Sequence, residues 1–173
     1  MGLINLGLNF GIFWRQLKFN FYLIMTYDEM IIAIANLTHE KFFDIYQKKD
    51  NGSRIKTTTD EAWIEKNGTD QVDVAKLDYS DLPQDWQKSR WLGAKAALDA
   101  LLETIKAGKP LDDKFIECAS DIVHEEWLTR NSDKITEEGQ YKLSYDQLSE
   151  DGKEKDRVFV RAAIEVYQKS RKE

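Results

Sequence analysis

The sequence predicts a mainly α fold in which two pseudo-twofold-related two-helix repeats are joined by long loops, with at most short strand pieces. Three observations carry that expectation. Lys76-Leu77-Asp78-Tyr79-Ser80-Asp81-Leu82 returns without a gap as Lys142-Leu143-Ser144-Tyr145-Asp146-Gln147-Leu148, and the match continues from Ala96-Ala97-Leu98-Asp99 to Ala162-Ala163-Ile164-Glu165. Upstream of each copy stands a second shared stretch, Leu37-Thr38-His39-Glu40-Lys41-Phe42 and Ile122-Val123-His124-Glu125-Glu126-Trp127. Around these segments apolar residues recur at helical spacing, while the alternating runs are too brief to found a sheet. Duplicated halves of this kind bury their apolar faces against each other, so a cleft on the pseudo-twofold axis is the expected place for function.

Taken in order, residues 1–25 form an apolar N-terminal extension, 26–110 the first repeat and 111–173 the second. From Leu3 to Met25 the chain has no acid, and Arg15 and Lys18 are its charges. Three accounts compete for this stretch. A signal peptide fits poorly, because the charges lie within the apolar run instead of before it. A membrane span is interrupted by Asn5, Asn9, Arg15, Gln16, Lys18 and Asn20, so an interfacial anchor fits better than a span. The third account starts translation at Met25, since Thr26-Tyr27-Asp28-Glu29 is a capping box that opens a helix.

That helix runs from Thr26 to about Lys48 on a stripe of Ile31, Ile34, Ala35, Thr38, Phe42, Ile45 and Tyr46, and Asp50-Asn51-Gly52-Ser53 ends it with turn chemistry. A polar loop follows to about Asp73, with Trp63 in its apolar patch folding it back onto the body. Pro83 suits the first turn of the second helix, whose period runs through Trp86, Ala94, Ala97, Leu98, Leu101 and Ile105 until Gly108 and Pro110 stop it. The second repeat opens at Asp112-Asp113, points Phe115, Ala119, Ile122, Val123 and Trp127 inward, and ends its first helix at Asn131-Ser132-Asp133. A loop from Lys134 to Tyr141 leads to the last helix near Ser149-Glu150-Asp151, which turns Phe159, Ala163, Val166 and Tyr167 inward. The short extended pieces are expected at Ala75–Tyr79 and Lys142–Tyr145.

A net charge of −6 argues against a nucleic-acid polymer as partner. Lys48, Lys49, Arg54 and Lys56 cluster near the first loop, where they read as a solvated edge or as the seat of a small anion. The single cysteine, Cys118, falls on an apolar stripe and reads as a buried small hydrophobe in a reducing compartment, which fits the cytoplasm. No phosphate-cradling glycine loop, nucleophile elbow, Cys-x-x-Cys pair or calcium loop is present, so neither an enzyme nor a bound cofactor is expected. The histidines, His39 and His124, hold the same repeat position, each followed by a glutamate. Adjacent side chains point about 100° apart on a helix, so these pairs do not chelate a metal as histidines four apart do. The plain reading is a histidine whose ring nitrogens satisfy buried loop backbone, and Tyr79 and Tyr145 read as hydroxyl braces for the turn before each second helix.

The repeated residues resemble the ryanodine-receptor repeat, the RyR domain, which occurs in tandem in large calcium-release channels and alone or paired in bacterial and phage proteins. The resemblance covers roughly residues 27–170 and rests on His39-Glu40-Lys41-Phe42 and His124-Glu125-Glu126-Trp127, then on Tyr79-Ser80-Asp81-Leu82-Pro83-Gln84 and Tyr145-Asp146-Gln147-Leu148-Ser149-Glu150. In the second copy it extends through Lys153-Glu154-Lys155-Asp156-Arg157, whereas the Gly-Trp-x-Tyr-Gly element of channel repeats is missing from both copies. The resemblance implies two repeats facing each other across a cleft, with Phe42 and Trp127 stacking on a planar ligand such as an adenine nucleotide. Aromatic faces that sandwich a base gain on the order of 1–3 kcal/mol each. His39 and His124 then line or brace the cleft, and Lys142 or Arg54 meets phosphate. The expected function is a non-catalytic module holding a nucleotide or a nucleotide-derived molecule. The alternative is a protein-interaction or structural module using the same cleft and the loop 52–73.

Overall fold

The computed structural model of the 173-residue chain describes residues 25–49, 52–132 and 143–172, without the side chains of 46–49 and 172. The expectations on the extension 1–24, on Lys142 and on the loop Lys134–Tyr141 fall outside the described residues. The elements run α1 (Tyr27–Lys49), β1 (Ile55–Thr57), α2 (Glu61–Asn67), β2 (Gln71–Asp73), α3 (Gln84–Lys106), α4 (Asp113–Arg130) and α5 (Glu150–Lys172). The architecture is mainly helical, with one two-stranded sheet among the described residues.

The helix ends follow from local chemistry. The Thr26 N–H donates to the Glu29 carboxylate at 2.7 Å and the Glu29 N–H returns to the Thr26 hydroxyl at 3.3 Å, the reciprocal pair that closes the start of α1. Asp112 caps α4 by accepting from the Phe115 N–H at 3.0 Å. Gly108, at φ 65°, takes the left-handed position just after α3.

α1 and α4, the first helices of the two repeats, each pack against both α3 and α5, and α3 packs against α5. The second helices therefore fill the middle of the molecule and the first helices occupy opposite corners. The α3–α5 crossing is made of small residues, with Ala94, Ala97, Ala162 and Ala163 fully buried. Gly93 and Phe159, which hold the same repeat position, meet there. A Cβ on Gly93 would stand 2.8 Å from Phe159 Cε1, so the missing side chain of one repeat is the space the ring of the other occupies.

Residues 52–73, expected as a polar loop, have structure of their own. β1 pairs with β2 antiparallel, Lys56 opposite Val72, and α2 bridges them. Three carboxylates hold this insertion. Asp60 caps α2 through the Trp63 N–H at 3.1 Å and takes the Gln84 N–H at 2.8 Å. Asp73 accepts from the Ser53 hydroxyl at 2.7 Å and the Arg54 N–H at 2.8 Å, and Asp85 accepts from the Thr58 hydroxyl at 2.6 Å. Val72, Val74 and Leu82 make a satellite core against which Trp63 and Trp86 pack. The strands thus fall before the segment expected to be extended. Leu77 to Asp81 instead enters a 3₁₀ turn at Tyr79–Asp81, matched by Tyr145–Gln147 in the second repeat. The reason is the carboxylate of Asp73, which also accepts from the Ala75 N–H at 3.3 Å and turns the chain out of the sheet.

Two residues expected inside lie outside. Ile122 is 49 % exposed and Cys118 is exposed, although both fall on the apolar stripe of α4. Phe115, Ala119 and Val123 on the same helix are buried as expected. The stripe of α4 is wider than the face that α3 and α5 cover.

Candidate functional site

The residues nominated from the sequence separate into two groups. His39 Nε2 lies 2.8 Å from the Leu77 carbonyl and His124 Nε2 lies 2.9 Å from the Leu143 carbonyl, the matching leucine in each copy. A carbonyl only accepts, so each Nε2 is the protonated nitrogen. Each histidine thereby ties the first helix of its repeat to the segment before the second. The tyrosines differ: the Tyr79 hydroxyl donates to the Gln87 carbonyl at 3.2 Å and braces the turn onto α3, the second helix of its repeat, whereas the Tyr145 hydroxyl donates to the Glu117 carboxylate at 2.9 Å and ties its turn to α4, the first helix.

Phe42 is 3 % exposed, meets Phe159 edge-on with centroids 6.0 Å apart, and carries the Arg90 guanidinium 4.2 Å above its ring. Trp127 is half-buried, with its ring nearly parallel to that of His124 at 6.3 Å. These two aromatics sit on α1 and α4, at opposite corners with α3 and α5 between them. The packing does not bring them together. Arg54 lies in the first-repeat insertion, with its N–H on Asp73 and its carbonyl taking the Val74 N–H at 3.0 Å.

An open groove lies elsewhere, along the seam of α3 and α4, with a volume of about 430 Å³. Its α3 wall runs from Leu92 to Thr104 and its α4 wall from Phe115 to Glu126, residues three or four apart on one face of each helix. At 1.5 Å per residue the trough is about 17 Å long. The floor is apolar, built by Ala96, Ala100, Phe115, Ala119 and Ile122. The rim is acidic: Asp99, Glu103 and Glu126 stand there against one ammonium, Lys95, which is held on Asp99 at 2.6 Å.

The corresponding seam in the other half of the molecule carries a different charge pattern. By the internal repeat, the α3–α4 seam corresponds to the α5–α1 seam, Asp99 to Glu165 and Glu126 to Lys41. Across α5 and α1, Lys41 Nζ lies 3.1 Å from the Glu165 carboxylate and links the two helices. Across α3 and α4 the same positions hold two acids, so no such link forms. Lysine at one position and glutamate at its mate therefore separate a latched seam from an unlatched one.

The comparisons with protein-family models, curated proteins and solved structures find no match to the chain.

Proposed function

We propose that the chain is a non-catalytic interaction module that takes a cationic amphipathic helix of a protein partner into the α3–α4 groove. The observation that carries this reading is the unlatched seam, where Glu126 faces the Asp99 side of α3 while its repeat mate Lys41 is paired with Glu165. An apolar trough three turns long suits the apolar face of a helix, and an acidic rim favours basic flanking residues and repels acidic ones. The half-exposed Ile122 supplies an apolar anchor point.

The experiment is a calorimetric titration with an eighteen-residue leucine–lysine peptide patterned as an amphipathic helix, beside a leucine–glutamate peptide of the same pattern. The parent chain binds the lysine peptide alone, and binding weakens as salt rises. Glu126→Lys restores the latch seen in the other half and lowers the affinity at least about tenfold, equivalent to about 1.4 kcal/mol. Because an exposed ion pair adds only about 0–1 kcal/mol, the variant folds as the parent does. Equal affinity in parent and variant, or equal binding of both peptides, sinks the reading.

A second reading, the nucleotide-type ligand that the RyR resemblance implies, is favoured by one feature, the half-buried Trp127 ring beside His124. A ligand at a hundred times its dissociation constant raises stability by about 2.7 kcal/mol. A thermal-shift screen with adenine nucleotides therefore tests it: a shift that disappears in Trp127→Ala supports this reading, and no shift excludes it.

A further inference from the structure

We infer that a hollow beside the first turns of α3 is a second binding site, one that takes a planar aromatic carboxylate of one or two rings. It shares no lining residue with the α3–α4 groove and stands independently of the interaction reading.

The hollow has a volume of about 300 Å³ and is lined by Tyr79, Gln84, Gln87, Lys88 and Trp91. Ligand sites run from about 300 to 1,000 Å³, so this one is at the small end and suits one or two rings. Positions 84, 87, 88 and 91 recur at steps of three and four and share one face of α3, while the turn Tyr79–Asp81 supplies the facing wall. Both walls are fixed in advance. The Tyr79 hydroxyl donates to the Gln87 carbonyl, and the Gln87 amide donates back to the Ser80 carbonyl at 3.0 Å and the Leu82 carbonyl at 2.7 Å. Tyr79 and Trp91 also pack against the main core. A site whose walls are already ordered gives up little freedom on binding.

In the second repeat, charged side chains occupy the matching place. The mates of Gln84, Gln87, Lys88 and Trp91 are Glu150, Lys153, Glu154 and Arg157. Arg157 grips the Glu117 carboxylate at 2.7 and 2.9 Å and Glu150 at 2.7 Å, Arg161 pairs with Glu154, and the Lys153 ammonium stands 5.5 Å from the Tyr145 ring centroid. Tyr145 is buried beneath them. In the first repeat the mate of Arg157 is Trp91, and the mate of Glu117 is Ile32, which is 48 % exposed. That ion network has no counterpart there, Tyr79 is half-buried, and Lys88 has no ion-pair partner among the described residues.

The ligand class follows from the lining. Two aromatic side chains offer offset or edge contacts to a flat ring system. The lining charge is the Lys88 ammonium, no carboxylate lines the hollow, and the exposed Gln84 amide adds a neutral donor. Burial raises the Tyr79 pKa against the effect of the nearby Arg90 guanidinium, so a second positive charge reaches the same wall. An unpaired ammonium beside aromatic rings favours a carboxylate on the ligand and disfavours an amine.

The test is a calorimetric titration of the full chain with 1-naphthoate, beside 1-naphthylmethylamine as a cation on the same rings, with amide chemical shifts recorded for the complex. Lys88 is exposed, so Lys88→Gln folds as the parent does. The parent binds naphthoate and not the amine, with shift changes gathered at Gln87, Lys88 and Trp91. Lys88→Gln weakens naphthoate about three- to fivefold, the range an exposed ion pair allows, and Trp91→Leu also weakens it. No heat at millimolar naphthoate, equal binding of acid and amine, or an unchanged affinity in Lys88→Gln overturns the site. Shift changes along Ala96 and Ile122 instead place the naphthoate in the α3–α4 groove and overturn it as well.

Discussion

His39 and His124 have the same neighbours in sequence and different ones in space, because the second helix of each repeat presents a different residue at the matching position: Arg90 in one and Asp156 in the other. Burial pushes the His39 pKa down, and Arg90 adds to this against the pull of the Leu77 carbonyl, so His39 is a neutral donor. His124 instead has its Nδ1 3.2 Å from the Asp156 carboxylate. Burial pushes the Asp156 carboxyl up to about 6, against the downward pull of His124. The Asp156 carboxyl lies against the His124 ring in a buried place, where the ionised form loses solvation. A carboxyl whose folded value lies above its unfolded value of about 3.9 stabilises the fold while protonated. Its contribution is therefore full below about pH 4 and is lost as the pH rises through about 6. Urea titrations across that range are expected to show the parent losing on the order of 1–3 kcal/mol relative to Asp156→Asn; two chains that track each other contradict the raised Asp156 value. The histidines' use of loop backbone was legible in the sequence, since a histidine on an apolar stripe needs a polar partner. The divergence between Arg90 and Asp156 was not, because it depends on how α3 and α5 are rotated against the first helices.

At the scale of elements, α3 and α5 approach closely where Gly93 receives the ring of Phe159. Alanine at position 93 gains about 1 kcal/mol in helix propensity. It also places a Cβ 2.8 Å from a ring carbon that is itself packed on Phe42. Overpacking of this kind costs about 1–3 kcal/mol, so Gly93→Ala is expected to lower the thermal midpoint. Gly93→Ala/Phe159→Leu is expected to recover part of the loss, as coupled neighbours do. A neutral or stabilising Gly93→Ala contradicts this packing. The sequence announced the helices and their ends, because Thr26, Asp112 and Gly108 act on residues three or four away. It hid the β1–α2–β2 insertion, because two three-residue strands leave almost no period and their tethers are distant: Thr58 to Asp85, Gln84 to Asp60, Ser53 to Asp73. It also placed Cys118 and Ile122 inside, because an apolar stripe shows what a helix can bury and not how much of it the neighbours cover. Those two residues mark the groove, and their unusual position on an otherwise covered stripe is what sequence reasoning missed.

In the whole molecule, the duplicated plan gives two corresponding seams that differ in charge at one pair of repeat mates, Lys41 and Glu126. Where Lys41 meets Glu165 the seam is latched; where Glu126 stands opposite Asp99 it is open, apolar at the floor and acidic at the rim. The aromatics nominated for a shared cleft lie on α1 and α4, with α3 and α5 between them, and the proposed interaction surface rests on the asymmetry between the repeats and not on their axis. That Lys41 and Glu126 are repeat mates was readable in the sequence, but its meaning needed the pairing of α1 with α5 and of α4 with α3. The most direct measurement is amide chemical-shift mapping of the full-length chain while the leucine–lysine peptide is added. The account predicts changes gathered along Ala96, Ala100, Ala119 and Ile122, with His39 and Phe42 undisturbed; changes centred on Trp127 and Leu143, or none at all, would contradict it.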